Sequence, residues 1–385
     1  WSCPMNFEID ATELAIIDSA ERVCRDVLQV NAQGYDEAEA FCAGSLKALG
    51  ELGFMGINLP EAYGGLGIGS LTMSRVVEAV AAACASTASA LTAHFLATDS
   101  ILIGGSEPQR QAWLPRAATG ELLGAFGLTE PAAGSNPADM RTRAIQENDG
   151  WRIRGSKHYI TNAREADFIV LYAKTDADAG HHGISAFLIP KGTEGITFSS
   201  PEKTMGLRGS TIYELALDCW LPASALLGEQ GQGFKTAMEV LDRGRVEVAA
   251  MSLGIARAAL EYSLGWARER QIGPKPLAAY QGTQWRLADM HTQLQAARLL
   301  TMQAAARRDS GERFSLESAT AKLFAAEAAG FITDAALQLH GGYGYIRDLP
   351  LERFVRDARI LRIFEGTSEV QKIIISRAVL DAARS

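Results

Sequence analysis

The chain has 385 residues, 47% of them hydrophobic, which is enough to bury a large core divided among two or three domains. A net charge of −8 and a pI near 5.4 exclude nucleic acid as a principal partner. The longest apolar runs, such as Val80–Cys84 and Leu299–Ala306, are broken by polar residues well short of a membrane span, so no membrane association is expected.

Residues 8 to about 120 read as helices. Ala11–Gln29 and Glu37–Leu52 carry apolar residues at three- and four-residue spacing, Ser70–Ala85 is small and alanine-rich, and Leu91–Gly104 and Pro108–Ala118 continue the pattern. The character changes near Glu121. From there to about Leu227, short alternating runs (Trp151–Arg154, Phe168–Tyr172, Ser185–Ile189, Ile212–Ala216) are divided by turns such as Asn148-Asp-Gly150 and Pro190-Lys-Gly192. Long helical periods return after Gly233: Phe234–Arg270, Gln281–Ser310, Ser315–Leu339 and Val370–Ala383. The expected fold is α+β multidomain: an N-terminal α-helical domain (1–120), a central antiparallel β domain (121–230) and a C-terminal four-helix bundle (231–385). Strands and helices do not alternate, which argues against a Rossmann fold.

Five cysteines (Cys3, Cys24, Cys42, Cys84, Cys219) are scattered without a C-x-x-C pair, and Trp1–Asn6 is too polar and too short for a signal peptide. Reduced thiols and a cytoplasmic location are expected. His181 and His182 sit in Asp178–Gly183, which reads as a solvated turn in preference to a metal site.

One segment concentrates chemistry: Leu361-Arg-Ile-Phe-Glu-Gly-Thr-Ser-Glu-Val-Gln371. A carboxylate at Glu365 held beside Ile363 and Phe364 is hard to solvate, so its basicity should rise. Gly366 lets a ligand approach the backbone, and the amides and hydroxyls that open the next helix suit a phosphate. On local grounds alone, the segment reads first as a helix cap, with Thr367 or Ser368 as N-cap.

Several further motifs resemble those of the acyl-CoA dehydrogenase family, in the order the family has them, from about Phe7 to Ala383. They are Ala125-Phe-Gly-Leu-Thr-Glu-Pro-Ala-Ala-Gly-Ser-Asn136, Gly155-Ser-Lys-His-Tyr-Ile-Thr-Asn162, Met205–Ser210 with Leu227–Phe234, Asp242-Arg-Gly-Arg245, and Arg270–Gln281 with Gln338-Leu-His-Gly-Gly342. The resemblance implies a flavoprotein carrying FAD. Phe126, Leu128, Thr129, Tyr159 and Thr161 would lie at the flavin ring, with Ser135 at flavin phosphate or acyl-CoA. Arg270, Gln281, Gln338 and Gly342 would hold the cofactor across a subunit boundary, and Thr367, Ser368 and Glu369 would complete the adenylate site. Asp242, Arg245 and Gly366 would contact the thioester arm. Glu365 would be the catalytic base, because Gly244 stands where isovaleryl-type relatives place theirs.

Two positions depart from the family pattern. Tyr159 replaces a usual tryptophan, and Gly273 replaces an aromatic that packs beside the cofactor. The implied reaction is α,β-dehydrogenation of an acyl-CoA thioester, with electron-transferring flavoprotein as acceptor and a homotetrameric assembly. A short, branched or cyclic acyl group fits best. Thr87 lacks the arginine of glutaryl-type relatives, and Thr92 lacks the pocket-floor glutamate of medium-chain ones. Asp99 is expected on a solvated helix face. A carrier-protein-bound acyl thioester, an oxidase, or a flavin-binding relative without dehydrogenase activity are the alternative readings.

Overall fold

In the computed structural model, residues 7–383 are described. Helix α1 (Ala11–Val23) starts at Asp10, whose side chain accepts from the Glu13 N–H at 2.8 Å while the Glu13 carboxylate accepts from the Asp10 N–H at 3.1 Å. This reciprocal cap fixes the helix start. A π-helical turn, Cys24–Leu28, joins α1 to α2 (Gln29–Ala38). The helix expected over Glu37–Leu52 is divided. Glu39 takes a left-handed φ of 49° and ends α2, and α3 (Ala43–Glu51) follows. Helix α4 (Ser70–Ala83) is separated from α5 (Ala85–Gly104) only by an extended Cys84. Helix α5 is buried almost throughout, so no single apolar face dominates its sequence. Helix α6 (Glu107–Ala118) completes the first helical region.

The middle of the chain forms one sheet. Its strands are β1 (Gly124–Gly127), β2 (Arg143–Glu147), β3 (Gly150–Thr161), β4 (Phe168–Lys174), β5 (Ile184–Pro190), β6 (Ile196–Phe198), β7 (Ile212–Pro222) and β8 (Leu226–Leu227). The order is β6-β7-β3-β2-β4-β5-β8, with β1 on β4. Most pairs are antiparallel, as expected, but β1 runs parallel to β4 and β2 meets β4 in parallel at Arg143 and Lys174. Strand β7 alternates buried and exposed residues, with Tyr213, Leu215, Leu217, Cys219 and Leu221 inward. Strands β4 and β5 are buried on both faces.

The third region comprises α7 (Gly233–Glu269), the two-residue strands β9 (Gln271–Ile272) and β10 (Lys275–Pro276), α8 (Gln281–Asp309), α9 (Ser315–His340), α10 (Gly342–Tyr345), α11 (Leu351–Arg359) and α12 (Ser368–Ala382). Helices α7, α8 and α9 pack on one another, α12 lies on α9, and α4 and α5 lie against α7. The first and last regions therefore share one apolar core, in which Met73, Val76 and Val80 join Met251, Leu253 and Ile255. Gly254 makes that contact close, because a Cβ there would strike the Glu78 carbonyl and lie 2.8 Å from Ala81.

Among the described residues no helix is long and apolar enough to cross a membrane. Cys24, Cys42, Cys84 and Cys219 carry free, buried thiols. Cys3 and Trp1–Asn6 lie outside the described residues. His181 and His182 occupy the 3-10 turn Gly180–Gly183, and the ring of His181 lies 5.3 Å from that of Phe234.

Candidate active site

Glu365 is placed by its backbone. After the turn at Ile360–Arg362, Glu365 takes φ +52° and Gly366 φ +94°, and Thr367 then caps α12 by accepting from the Val370 N–H at 3.3 Å. A glutamate in the left-handed region is strained and persists only where its surroundings hold it. Here the side-chain amide of Gln371 donates to the carbonyls of Glu365 (3.2 Å) and Gly366 (2.9 Å). The buried Lys322 ammonium on α9 donates to the Gly366 carbonyl at 2.7 Å. The reading of the segment as a helix start therefore holds, with Thr367 as the N-cap.

The Glu365 side chain reaches α7 and lies over Gly244. A Cβ at that position would collide with Oε2 of Glu365 and stand 2.8 Å from Leu96 on α5. Glycine is thus what makes room for the carboxyl. Oε2 is enclosed and has no hydrogen-bond partner. Burial pushes the Glu365 pKa up to about 7, against the opposing pull of Lys322 and Arg245. An enclosed, unpartnered carboxyl close to neutrality suits a general base.

Asp242 and Arg245, both singled out from the sequence, come together at this place. The buried Arg245 guanidinium donates to Asp242, and Asp242 also accepts from the Ser315 hydroxyl at the start of α9. Gly366 is held by Lys322 and Gln371 as above. Ser368 donates to Glu327 at 2.8 Å, while Glu369 is exposed in the first turn of α12.

A second patch lies where β1 meets β3. His158 donates its main-chain N–H to the Thr129 carbonyl at 2.9 Å, which holds Thr129 against β3 at the residue before Tyr159. A strand irregularity between Lys157 and Ile160 leaves Tyr159 at φ +58°, 59% exposed, with its ring 3.9 Å from that of His158. Beneath it, the buried Lys157 ammonium donates to the Leu128 carbonyl (3.0 Å) and to Glu130 (2.8 Å), which pins the segment after β1 onto β3. Leu128 buries its side chain in the core, and Phe126 packs half-buried on Tyr172 with 5.2 Å between ring centroids. Ser135 is exposed in the following turn.

A third patch forms at the far ends of α7 and α9. Arg270, Gln338 and Gly342 line a cavity of about 410 Å³ with Trp266, His340 and Tyr343. The Arg270 guanidinium lies 5.6 Å from the Trp266 ring centroid and 5.5 Å from that of Tyr343, and Trp266 stacks on His340 at 5.0 Å. Gly341 has φ +59°, and a Cβ at Gly342 would meet nothing within 4 Å. Gln281 opens α8 and is exposed. An arginine on an aromatic wall beside open backbone fits a phosphate and a flat ring. Sixteen residues of α9 separate Lys322 from Gln338, or roughly 24 Å. This patch is therefore remote from Glu365 of the same chain.

Sequence reasoning missed Lys322, Gln371, Lys157 and Glu130. It also misjudged Asp99, which is not solvated. Asp99 is 1% exposed on its side chain, paired with Arg243 at 3.1 Å, and accepts from the Asn58 amide at 3.1 Å.

Three family models cover most of the chain: acyl-CoA dehydrogenase N-terminal domain (residues 10–121), middle domain (125–219) and C-terminal domain (231–380). The chain belongs to the acyl-CoA dehydrogenase family. It is 40% identical to acryloyl-CoA reductase (NADH) of Anaerotignum propionicum over 379 residues, 98% of this chain and 96% of the relative. It superimposes on butyryl-CoA dehydrogenase from Megasphaera elsdenii with a TM-score of 0.95 at 37% identity, covering 98% and 100% of the two chains. A chain solved with the electron transferring flavoprotein of Acidaminococcus fermentans as its subject gives 0.96 at 40% identity, with the same coverage. Enzymes of the acyl-CoA dehydrogenase family are FAD-dependent oxidoreductases acting on acyl-CoA.

Proposed function

We propose that this acyl-CoA dehydrogenase oxidises a short acyl-CoA to its 2-enoyl thioester with Glu365 as the base. The carrying observation is the enclosed Glu365 carboxyl over Gly244, which has no hydrogen-bond partner and is pushed up to about 7 by burial. The neighbouring short-chain relatives support a short acyl group.

Glu365 removes the α-proton of the thioester. An α C–H beside a thioester is far too weak an acid for an ordinary carboxylate, so two things must help. The base must be raised, and burial does that. The developing enolate must meet fixed donors, one of them the Glu365 main-chain N–H, each worth roughly 3–4 kcal/mol. Gln371 and Lys322 steady the residue that bears it from the C-terminal side, through the carbonyls of Glu365 and Gly366. Asp242 and Arg245, fastened to Ser315, are assigned to the thioester arm with Gly366.

When bound, FAD would supply the acceptor for the hydride that leaves the β-carbon. Phe126, Leu128, Thr129, Tyr159 and Thr161 are assigned to its ring and Ser135 to phosphate or acyl-CoA. Arg270, Gln281, Gln338 and Gly342, with Thr367 and Glu369, are assigned to its phosphates and adenylate. The remoteness of the Arg270 cavity from Glu365 supports cofactor shared between copies of the chain. Exposed apolar side chains on the bundle, including Trp285, Leu299, Phe331, Ile373 and Leu380, support a homotetramer. Electron-transferring flavoprotein is the assigned oxidant of the reduced enzyme.

The test is anaerobic mixing with butanoyl-CoA. Glu365→Gln should keep its FAD and bind the thioester, yet bleach the flavin about 10²–10⁴-fold more slowly. Bleaching at the wild-type rate would refute the assignment.

A further inference from the structure

The turn that carries Glu365 is fastened at both ends to one side chain. Arg362, three residues before Glu365, closes the 3-10 turn Ile360–Arg362, and its Nε stands 3.0 Å from Oε2 of Glu327 on α9. The same guanidinium donates through Nη2 to the Glu327 carbonyl at 3.2 Å. Ser368, three residues after Glu365, is buried at the start of α12 and donates to Oε1 of that glutamate at 2.8 Å. The proposed mechanism uses neither Glu327 nor Arg362.

Helix α9 makes room for this bridge. A Cβ at Gly330, one turn past Glu327, would collide with Nη2 of Arg362 and stand 2.6 Å from its Cζ. Glycine there lets the guanidinium lie on the helix backbone, within reach of both the Glu327 carbonyl and its carboxylate. Between the two tethers stand the positive-φ residues, Glu365 at +52° and Gly366 at +94°. A left-handed glutamate relaxes unless its surroundings hold it. Gln371 and Lys322 hold it from the C-terminal side. On the N-terminal side the Ile363 and Phe364 N–H groups bond only back to the Ile360 carbonyl, at 2.8 and 3.1 Å, which ties the turn to itself. Arg362 is the polar contact that ties that side to α9, and Glu327 joins the two sides.

We propose that Glu327 is a positioning residue for the reaction: its carboxylate, bridging Arg362 and Ser368, holds the turn 362–368 rigid on α9 and so sets where the Glu365 carboxyl and main-chain N–H meet the thioester. The inference rests on the reading of Glu365 as the base. The Glu327 side chain is 48% exposed, and exposed ion pairs contribute little to stability. Loss of the bridge should therefore appear in the aim of the base and hardly in the melting of the fold. A displacement of about 1 Å at a reacting group costs up to about 10²-fold in rate.

Single-turnover bleaching of the FAD-loaded enzyme by butanoyl-CoA, followed anaerobically over a range of thioester concentrations, separates the limiting rate from the dissociation constant. Glu327→Ala should lower the limiting rate about tenfold or more, with the dissociation constant within about twofold, FAD retained and the melting temperature within about 2 °C of the wild type. Glu327→Gln keeps an acceptor for Ser368 and should recover part of the rate. Gly330→Ala evicts Arg362 without removing a charge and should slow reduction in the same way. Combined with Glu327→Ala it should cost little more, because both break one bridge. Should Glu327→Ala fail to fold, Glu327→Gln and Gly330→Ala decide. An unchanged limiting rate in the folded variants overturns the positioning role and leaves Glu365 as the base. So does a rate loss that merely follows weaker thioester binding, lost FAD or a matching fall in melting temperature. Bleaching by Glu365→Gln at the wild-type rate overturns the base, and the bridge's purpose with it.

Discussion

Two places in this molecule bury a lysine near a glutamate, and they serve opposite ends. In the sheet, Lys157 donates to the Leu128 carbonyl and to Glu130, while Glu130 also accepts from the main-chain N–H groups of Arg141 and Thr142. Every strong group there has a partner. Burial alone would raise the Glu130 pKa, but Lys157 and the two N–H groups hold the carboxyl below its usual range. At the other place, Lys322 donates to a carbonyl, and the Glu365 carboxyl beside it is left without a hydrogen bond. Burial brings both lysines down to about 8, each partly restored by its glutamate. The two glutamates differ because only one is hydrogen-bonded in its charged form. A satisfied pair gives rigidity, and an unsatisfied carboxyl gives reactivity.

The sharpest way to break this contrast is Lys157→Met. Removing one partner from a fully buried pair strands the other charge, and the expected loss is about 3–5 kcal/mol of unfolding free energy. A urea melt of the FAD-free and FAD-loaded protein measures it. Because Lys157 also holds the Leu128 carbonyl against β3, FAD retention should weaken as well. A variant as stable as the wild type would show that the sheet pair is not the structural one.

The sequence made this architecture legible where periodicity is strong. The long bundle helices fall within one or two residues of their expected ends, because stretches of that length are bounded by turn residues such as Gly231, Gly273-Pro274, Gly311 and Gly341, although none of the three has a side-chain N-cap. The π-turn at Cys24–Leu28 and the parallel β1–β4 pair carry no local pattern and were not foreseen. The buried charges were invisible for a related reason. Asp99 and Arg243 are 144 residues apart, and Lys322 and Gly366 are 44 apart, so neither pairing leaves a mark at short range. A lysine or aspartate in a helical stretch reads as solvated until the fold encloses it. Glu365 stood out as a candidate through its apolar neighbours and adjoining glycine, and its reading as a base came from the resemblance of the other motifs to the family. The one available hint for Lys322 was its setting among small residues, Ala319-Thr-Ala-Lys-Leu-Phe-Ala325.

A smaller effect sharpens the other half of the comparison. Lys322→Met removes the largest of the forces that lower the Glu365 pKa, so that pKa should climb further above 7. The acid limb of flavin reduction against pH, expected near 7 in the wild type, should move up by about one unit, leaving roughly fivefold less rate at pH 7. Lys322→Arg restores the charge and should bring the limb most of the way back. A merely structural lysine would lower the rate at all pH values without moving the limb.

The last expected effect is on stability. Burial raises the Glu365 pKa in the folded protein from about 4.5 to about 7, so the unfolded chain releases this proton first as pH rises. Stability attributable to Glu365 is therefore lost between those two values and stays lost above 7. Glutamine carries no proton to release. Glu365→Gln should match the wild type near pH 4.5 and unfold at a higher temperature than the wild type at pH 8, each compared in the same FAD-loaded state and without thioester. The same substitution that stops the base should thus steady the fold at alkaline pH, whereas Glu130→Gln, which removes a charge already satisfied, should weaken it. Equal or lower melting of Glu365→Gln at pH 8 would mean that the carboxyl has a partner after all, and that the contrast between the two glutamates fails.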